Sequence, residues 1–98
     1  MPEVKMPTVK DVSVRKPDED EILKCKSWPI WTCEPSRFDW DYTQTETCLI
    51  LEGSIEVSDR PDSSESVSFG PGDLVEFPVG LKCVWNVKEA VRKHYNFS

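Results

Sequence analysis

The chain has 98 residues and a formal charge of −6, from 18 acidic and 12 basic side chains. No apolar run approaches the roughly 20 residues that span a bilayer, and no cluster of Lys and Arg offers a grip on a phosphate backbone. These values predict one small domain and exclude nucleic acid and membrane as partners. A chain of this length buries only about 60 to 65% of its unfolded surface. Its four Trp, four Phe and two Tyr must therefore carry much of the core, at roughly 150 to 250 Å² for each enclosed ring.

In chain order, residues 1–16 are mostly polar. Val12 and Val14 alternate there with Asp11, Ser13 and Arg15, like a weak strand or an extended surface arm. The first five residues lack the apolar stretch of a secretory signal, so the expectation is a soluble intracellular protein, cytoplasmic by default with an organelle as the alternative. Residues 17–26 place Pro17 and the acids Asp18 to Glu21 at one end and Lys24 and Lys26 at the other. That order complements a helix dipole and predicts one or two helical turns whose acidic start is solvated.

The remainder reads as short strands over 28–33, 37–42, 46–52, 54–58, 66–69, 74–77, 82–87 and 91–97. Phe38, Trp40 and Tyr42 share a face, as do Cys83, Trp85 and Val87. Gly53-Ser54 suits a tight hairpin, while residues 59–66, 70–73 and 78–80 read as a polar loop and two turns. Eight short strands without crossover helices imply an antiparallel sandwich or barrel. Residues 1–27 form an arm and short helix, and residues 28–98 form the barrel of one domain. Cys25, Cys33, Cys48 and Cys83 contain no C-x-x-C pair, so four thiols are expected rather than a structural zinc site or disulfides.

Two spacings point further. Glu46 lies seven residues before Gly53, and Gly72-Asp-Leu-Val-Glu-Phe-Pro78-Val-Gly80 precedes Cys83 by three residues. With Trp28-Pro-Ile-Trp31, Phe38-x-Trp40-x-Tyr42, Trp85 and Val91-Arg-Lys-His-Tyr95, these phrases resemble the small single-domain cupins of the RmlC-like type, in the group related to ureidoglycine aminohydrolase. The resemblance covers residues 28–95. It implies an all-β fold, an antiparallel jelly-roll β-barrel, with copies pairing as a homodimer through sheet edges. The cupin motifs supply two histidines, a glutamate and a third histidine. Only Glu46 survives here, with Trp40 and Tyr42 in place of the paired histidines and Cys83 in place of the third.

If Glu46 faces the lumen as that pattern implies, Cys48 faces it too, together with Trp40, Tyr42, Cys83 and Trp85 from neighbouring strands. Such a lining suits a small organic ligand better than a hydrated ion. Indole cannot coordinate, and phenol must first lose a proton with a pKa near 10, so ligand count weighs against a metal cofactor. A site of Glu46 with the two thiolates is the alternative. Glu46 is a candidate general acid or base, its bland counterpart being a carboxylate satisfied by Tyr42 or Trp85. Cys83 is a candidate nucleophile, but the one imidazole, His94, falls with Arg92 and Asn96 on the face opposite Val91, Lys93, Tyr95 and Phe97. It is expected outside or at a subunit contact. Trp28, Ile30 and Trp31 are expected to pack in the core.

Three functions follow. The first is a cupin that binds a small molecule without the usual metal site. The second is a hydrolase or isomerase of a small polar metabolite such as a ureide, with Glu46 moving protons. The third is a structural module with a filled lumen.

Overall fold

The computed structural model describes residues 6–60 and 65–98. The expectation drawn from residues 1–5 and the centre of the polar loop at 61–64 lie outside the described residues. A 3-10 turn (Val9–Asp11) leads into β1 (Ser13–Arg15) and α1 (Glu19–Cys25). These are followed by β2 (Ile30–Cys33), β3 (Ser36–Asp41), β4 (Glu46–Asp59), β5 (Ser66–Phe69), β6 (Leu74–Phe77) and β7 (Lys82–Phe97). All pairings are antiparallel, as the alternation predicts. Among the described residues no helix is long and apolar enough to cross a membrane.

One expectation is corrected here. Gly53-Ser54 is not a hairpin, because the predicted strands on either side of it are one continuous strand, β4. The last two predicted strands are likewise one, β7. The two long strands pair along their whole length, with register shifts between Ile50 and Ile55. The glycine serves close approach at this bulge. Its φ is +113°, and a Cβ there would lie 2.8 Å from both the Ala90 carbonyl oxygen and the Val91 Cα. Gly53 thus lets β4 bend against β7 where any side chain would meet backbone.

That bend divides the ladder into two layers. The first half of β4 and the second half of β7 lie with β6, β1 and β2; the second half of β4 and the first half of β7 lie with β5 and β3. Inward residues change parity across the bulge, from Cys48 and Ile50 to Ile55 and Val57, and all four are almost wholly buried. Between the layers Phe69, Phe77 and Trp85 pack ring to ring at 5.5 to 5.8 Å between centroids, which is how a 98-residue chain fills its core with few side chains.

The helix forms where the charge order predicts it. Asp18 caps it, accepting from the Glu21 amide at 2.8 Å while Glu21 Oε1 accepts from the Asp18 amide at 3.1 Å, the reciprocal pairing of a capping box. Glu21 also takes a two-pronged ion pair from Arg15 of β1. This fork holds its carboxyl down at about 2 and ties helix to strand. Cys25 then packs on Leu49 and Leu74, with Ile22, Trp28 and Leu51 around them, covering the outer face of the first layer.

Candidate functional site

Tyr42 follows β3 and is fixed through its backbone. Its amide donates to the Leu81 carbonyl at 2.9 Å, and its carbonyl accepts from the Gly80 amide at 2.7 Å. The turn at 78–80 that the sequence predicts therefore grips the residue that the cupin resemblance sets in a histidine position. The Tyr42 ring stacks on Phe77 at 4.9 Å, nearly parallel. Burial first, and the Glu46 carboxylate second, push its phenol far above the ordinary tyrosine value, so it stays protonated and donates to Glu46 Oε1 at 2.9 Å.

Glu46 opens β4 and points inward with Cys48 and Ile50. Its second oxygen, Oε2, accepts from Lys93 Nζ at 2.8 Å, with the two side chains 4% and 5% exposed. Lys93 comes from the inward set of β7, between Val91 and Tyr95. Its ammonium lies 4.8 Å from the Trp31 ring centroid and 4.6 Å from that of Trp85. Burying two charges costs several kcal/mol each in solvation, about an order of magnitude above a surface pair's worth. Here that cost is offset by the mutual contact, by the phenol and by two indole faces.

Beside this chain of Tyr42, Glu46 and Lys93 is a cavity of about 160 Å³ on the side where β2 and β3 flank β7. Trp31, Phe38, Trp40 and Trp85 form one wall, and Tyr95 and Phe97 add two further rings. Phe38 stacks on Trp85 at 6.0 Å, and Trp31 meets Trp85 edge-on at 6.1 Å. At the mouth, Trp40 is 45% and Phe97 40% exposed. The Trp85 indole nitrogen is buried and has no hydrogen-bond partner among the described residues.

Of the six residues expected to line the lumen, Trp40, Tyr42, Glu46 and Trp85 come together. Cys48 and Cys83 do not reach the cavity and are fully enclosed in the core. Burial pushes both thiols up to about 12, so neither is a thiolate near neutral pH, the state a nucleophile or metal ligand requires. Strand parity gives their inward direction, and both sit within the packed core rather than on the cavity. His94 takes the opposite face, as its parity predicts, yet it is not a surface residue. It is 9% exposed and its Nδ1 lies 2.9 Å from the Trp28 carbonyl oxygen, beneath the segment that follows α1. A sheet face read as solvent-facing is covered by the chain's own N-terminal third.

Lys93 is the main residue that motif reasoning missed. Its signal was present, since it is the one charged member of an otherwise apolar set on the last strand. Trp31, expected only as packing, supplies a cavity wall and one of the two faces under the ammonium.

The metal that the cupin motif implies does not fit these residues. Both Glu46 oxygens are already engaged, and an ammonium stands 2.8 Å from one of them, where it repels a divalent ion. Among the described residues no three His, Cys, Asp or Glu side chains converge as a ligand set.

A comparison with curated proteins found no match. Among solved structures, the chain is similar to a DUF861-family protein of Thermotoga maritima, with 46% identity, a TM-score of 0.83 and coverage of 90% of this chain and 100% of that one. It is similar in fold to the EutQ protein of Clostridium difficile, with 22% identity, a TM-score of 0.62 and coverage of 69% of this chain and 52% of that one. A putative ethanolamine utilization protein Q of Salmonella typhimurium gives 22% identity, a TM-score of 0.61 and coverage of 69% and 53%. The matched region is thus about half of each EutQ chain. Residues 21–95 match the model of the EutQ-like cupin domain, and the chain belongs to that cupin family.

Proposed function

We propose that this protein binds a small organic molecule in the aromatic opening beside β2 and β3, with Lys93 and Glu46 as its polar wall and without a resident metal. The observation that carries the reading is the buried Lys93–Glu46 pair at the edge of a cavity. Either feature alone works against stability. A buried ion pair is often no better than apolar residues of the same volume, and an unfilled space in a small core forfeits packing. Departures from local economy of this kind concentrate at functional sites. A thermal-shift screen against a metabolite library, run on the wild type and on Glu46→Gln, tests it. The expected result is a stabilising ligand whose effect is lost in the variant; a library without any hit on the wild type would leave the structural-module reading standing.

A second reading is an enzyme acting on a small polar metabolite, of which a ureide is the candidate through the motif phrases shared with ureidoglycine aminohydrolase. The hydrogen-bonded sequence of phenol, carboxylate and ammonium favours it, since such a chain can take up and return a proton at Glu46. Turnover of a screen hit that disappears in Glu46→Gln, with binding retained, distinguishes it from binding alone. Pairing of two copies fits the same edge, where β2 and β3 each have β7 as their neighbour and Ile30 and Trp40 are exposed.

A further inference from the structure

Resting on the ligand-binding reading of this opening, we infer that its ligand is an uncharged, planar carbonyl compound, an amide or ketone rather than an acid or an amine, whose oxygen accepts from Lys93 Nζ. Charge is the first argument. Glu46 and Lys93 cancel, so the buried wall is neutral as a whole. A ligand amine would seek the indole faces and the carboxylate, but the Lys93 ammonium already occupies that seat, 4.6 and 4.8 Å from the two ring centroids and 2.8 Å from Glu46 Oε2. A second cation there is repelled. A ligand carboxylate within hydrogen-bond reach of Lys93 would in turn lie beside Glu46, in a setting where like charges are weakly screened.

The hydrogen-bond inventory is the second argument. An ammonium has three protons, and among the described residues Lys93 gives one to an oxygen, that of Glu46. The Trp85 N–H is buried without a partner. On the acceptor side, each Glu46 oxygen already accepts one bond, which leaves about two of a carboxylate's roughly four lone-pair sites against the three unpaired N–H of Lys93 and Trp85. The surplus is therefore of donors, and a neutral carbonyl oxygen supplies lone pairs without adding charge. Shape is the third argument. The cavity holds about 160 Å³, close to the roughly 150 Å³ of a cavity that takes benzene. Lined by aromatic rings, with Trp40 and Phe97 exposed at its mouth, it suits one small planar body.

Benzamide, benzoate and benzylammonium share one body and differ in charge, so titration calorimetry with all three reads the selectivity directly. Wild-type protein is expected to bind benzamide tighter than either ion by roughly tenfold or more, the scale of one hydrogen bond to a charged donor. In Lys93→Met the order is expected to invert. Benzylammonium becomes the tightest of the three, its own ammonium taking the vacated place over Trp31 and Trp85 against Glu46, while Lys93→Arg keeps the wild-type order. Equal or tighter binding of benzoate or benzylammonium by the wild type overturns the inference. So does the absence of binding by all three probes when the metabolite screen has found some other ligand, and that outcome leaves the binding reading intact. Absence of any ligand in both experiments overturns the two together. If Lys93→Met does not fold, the wild-type and Lys93→Arg orders decide.

Discussion

Replacing Lys93 by methionine measures what the buried pair contributes to the fold. Methionine keeps an unbranched stem of similar length between Trp31 and Trp85 and removes the ammonium. Glu46, with its side chain 4% exposed, is left with the Tyr42 hydroxyl as its remaining partner. Stranding one member of a buried pair costs about 3 to 5 kcal/mol. Loss of the two cation–π contacts is included in that range, since the ammonium leaves both rings at once. A net loss of about 3 to 5 kcal/mol is a large fraction of the roughly 5 to 15 kcal/mol that holds a domain of this kind. At about 4 to 8 °C for each kcal/mol, Tm falls by at least roughly 12 °C. Urea titration followed by tryptophan fluorescence gives the free-energy difference. Glu46→Gln placed on the Lys93→Met background removes the stranded charge, so the double variant is expected to be more stable than Lys93→Met alone, with a coupling of about 2 kcal/mol in the cycle. A Lys93→Met protein within about 1 kcal/mol of wild type, or single costs that simply add, would refute the reasoning.

Two further predictions concern the core and the bend. Cys48 and Cys83 have thiols raised by burial from 9.0 to about 12, so the folded state prefers the protonated form more strongly than the unfolded chain does. Their contribution is fully present below about pH 9 and is lost as pH rises from 9 towards 12. Urea midpoints should therefore hold level from pH 7 to 9 and fall above it, and a fall already complete by pH 8.5 contradicts the assignment. Gly53→Ala forces a side chain into positive φ and into contact 2.8 Å from the backbone of Ala90 and Val91. A loss of roughly 2 to 4 kcal/mol is expected by chemical denaturation, and a neutral effect would mean that β4 and β7 do not approach as described.

The sequence carried the local geometry well and the long-range geometry poorly, and Gly53 shows why. Glycine between two alternating runs fits a hairpin and a bulge equally, because both need positive φ. What decides is whether the following run folds back on its neighbour or continues beside β7, whose paired residues run from Glu89 opposite Ser54 to Val84 opposite Ser58, far along the chain. The predicted turns at 70–73 and 78–80 were legible because each is closed by its own residues, as in the Gly70 amide donating to Asp73 at 2.8 Å. His94 illustrates the same limit. Alternation along β7 assigned its face correctly, but the cover over that face comes from α1 and Trp28, more than 60 residues earlier, and no period within the strand encodes it. Of the expected lining residues, Trp40, Tyr42, Glu46 and Trp85 meet at the cavity and the two thiols do not, because parity gives direction and not depth. A residue can point inward and still be enclosed in the core short of the cavity, as Cys48 and Cys83 are.

Lys93 changes how the altered motif is understood. A lone glutamate in a lumen whose histidine positions hold Trp40, Tyr42 and Cys83 looks like the remnant of a metal site. A bare carboxylate buried among rings would be costly, and Glu46 instead stands beside a positive charge that the chain itself carries. The ammonium on β7 makes with Glu46 the kind of electrostatic contact that a cation makes in a cupin metal site, and Tyr42 donates to the other oxygen. Trp85 and Trp31 offer ring faces to the ammonium. The difference from a metal has a chemical consequence. A metal ion can open a coordination position to substrate and polarise it as a Lewis acid, whereas a lysine held to a glutamate offers directed N–H donors and a conjugate pair for proton movement. Under the proposed function, hydrogen bonding and shape select what enters this cavity, and the Lys93–Glu46 pair is suited to acid–base chemistry.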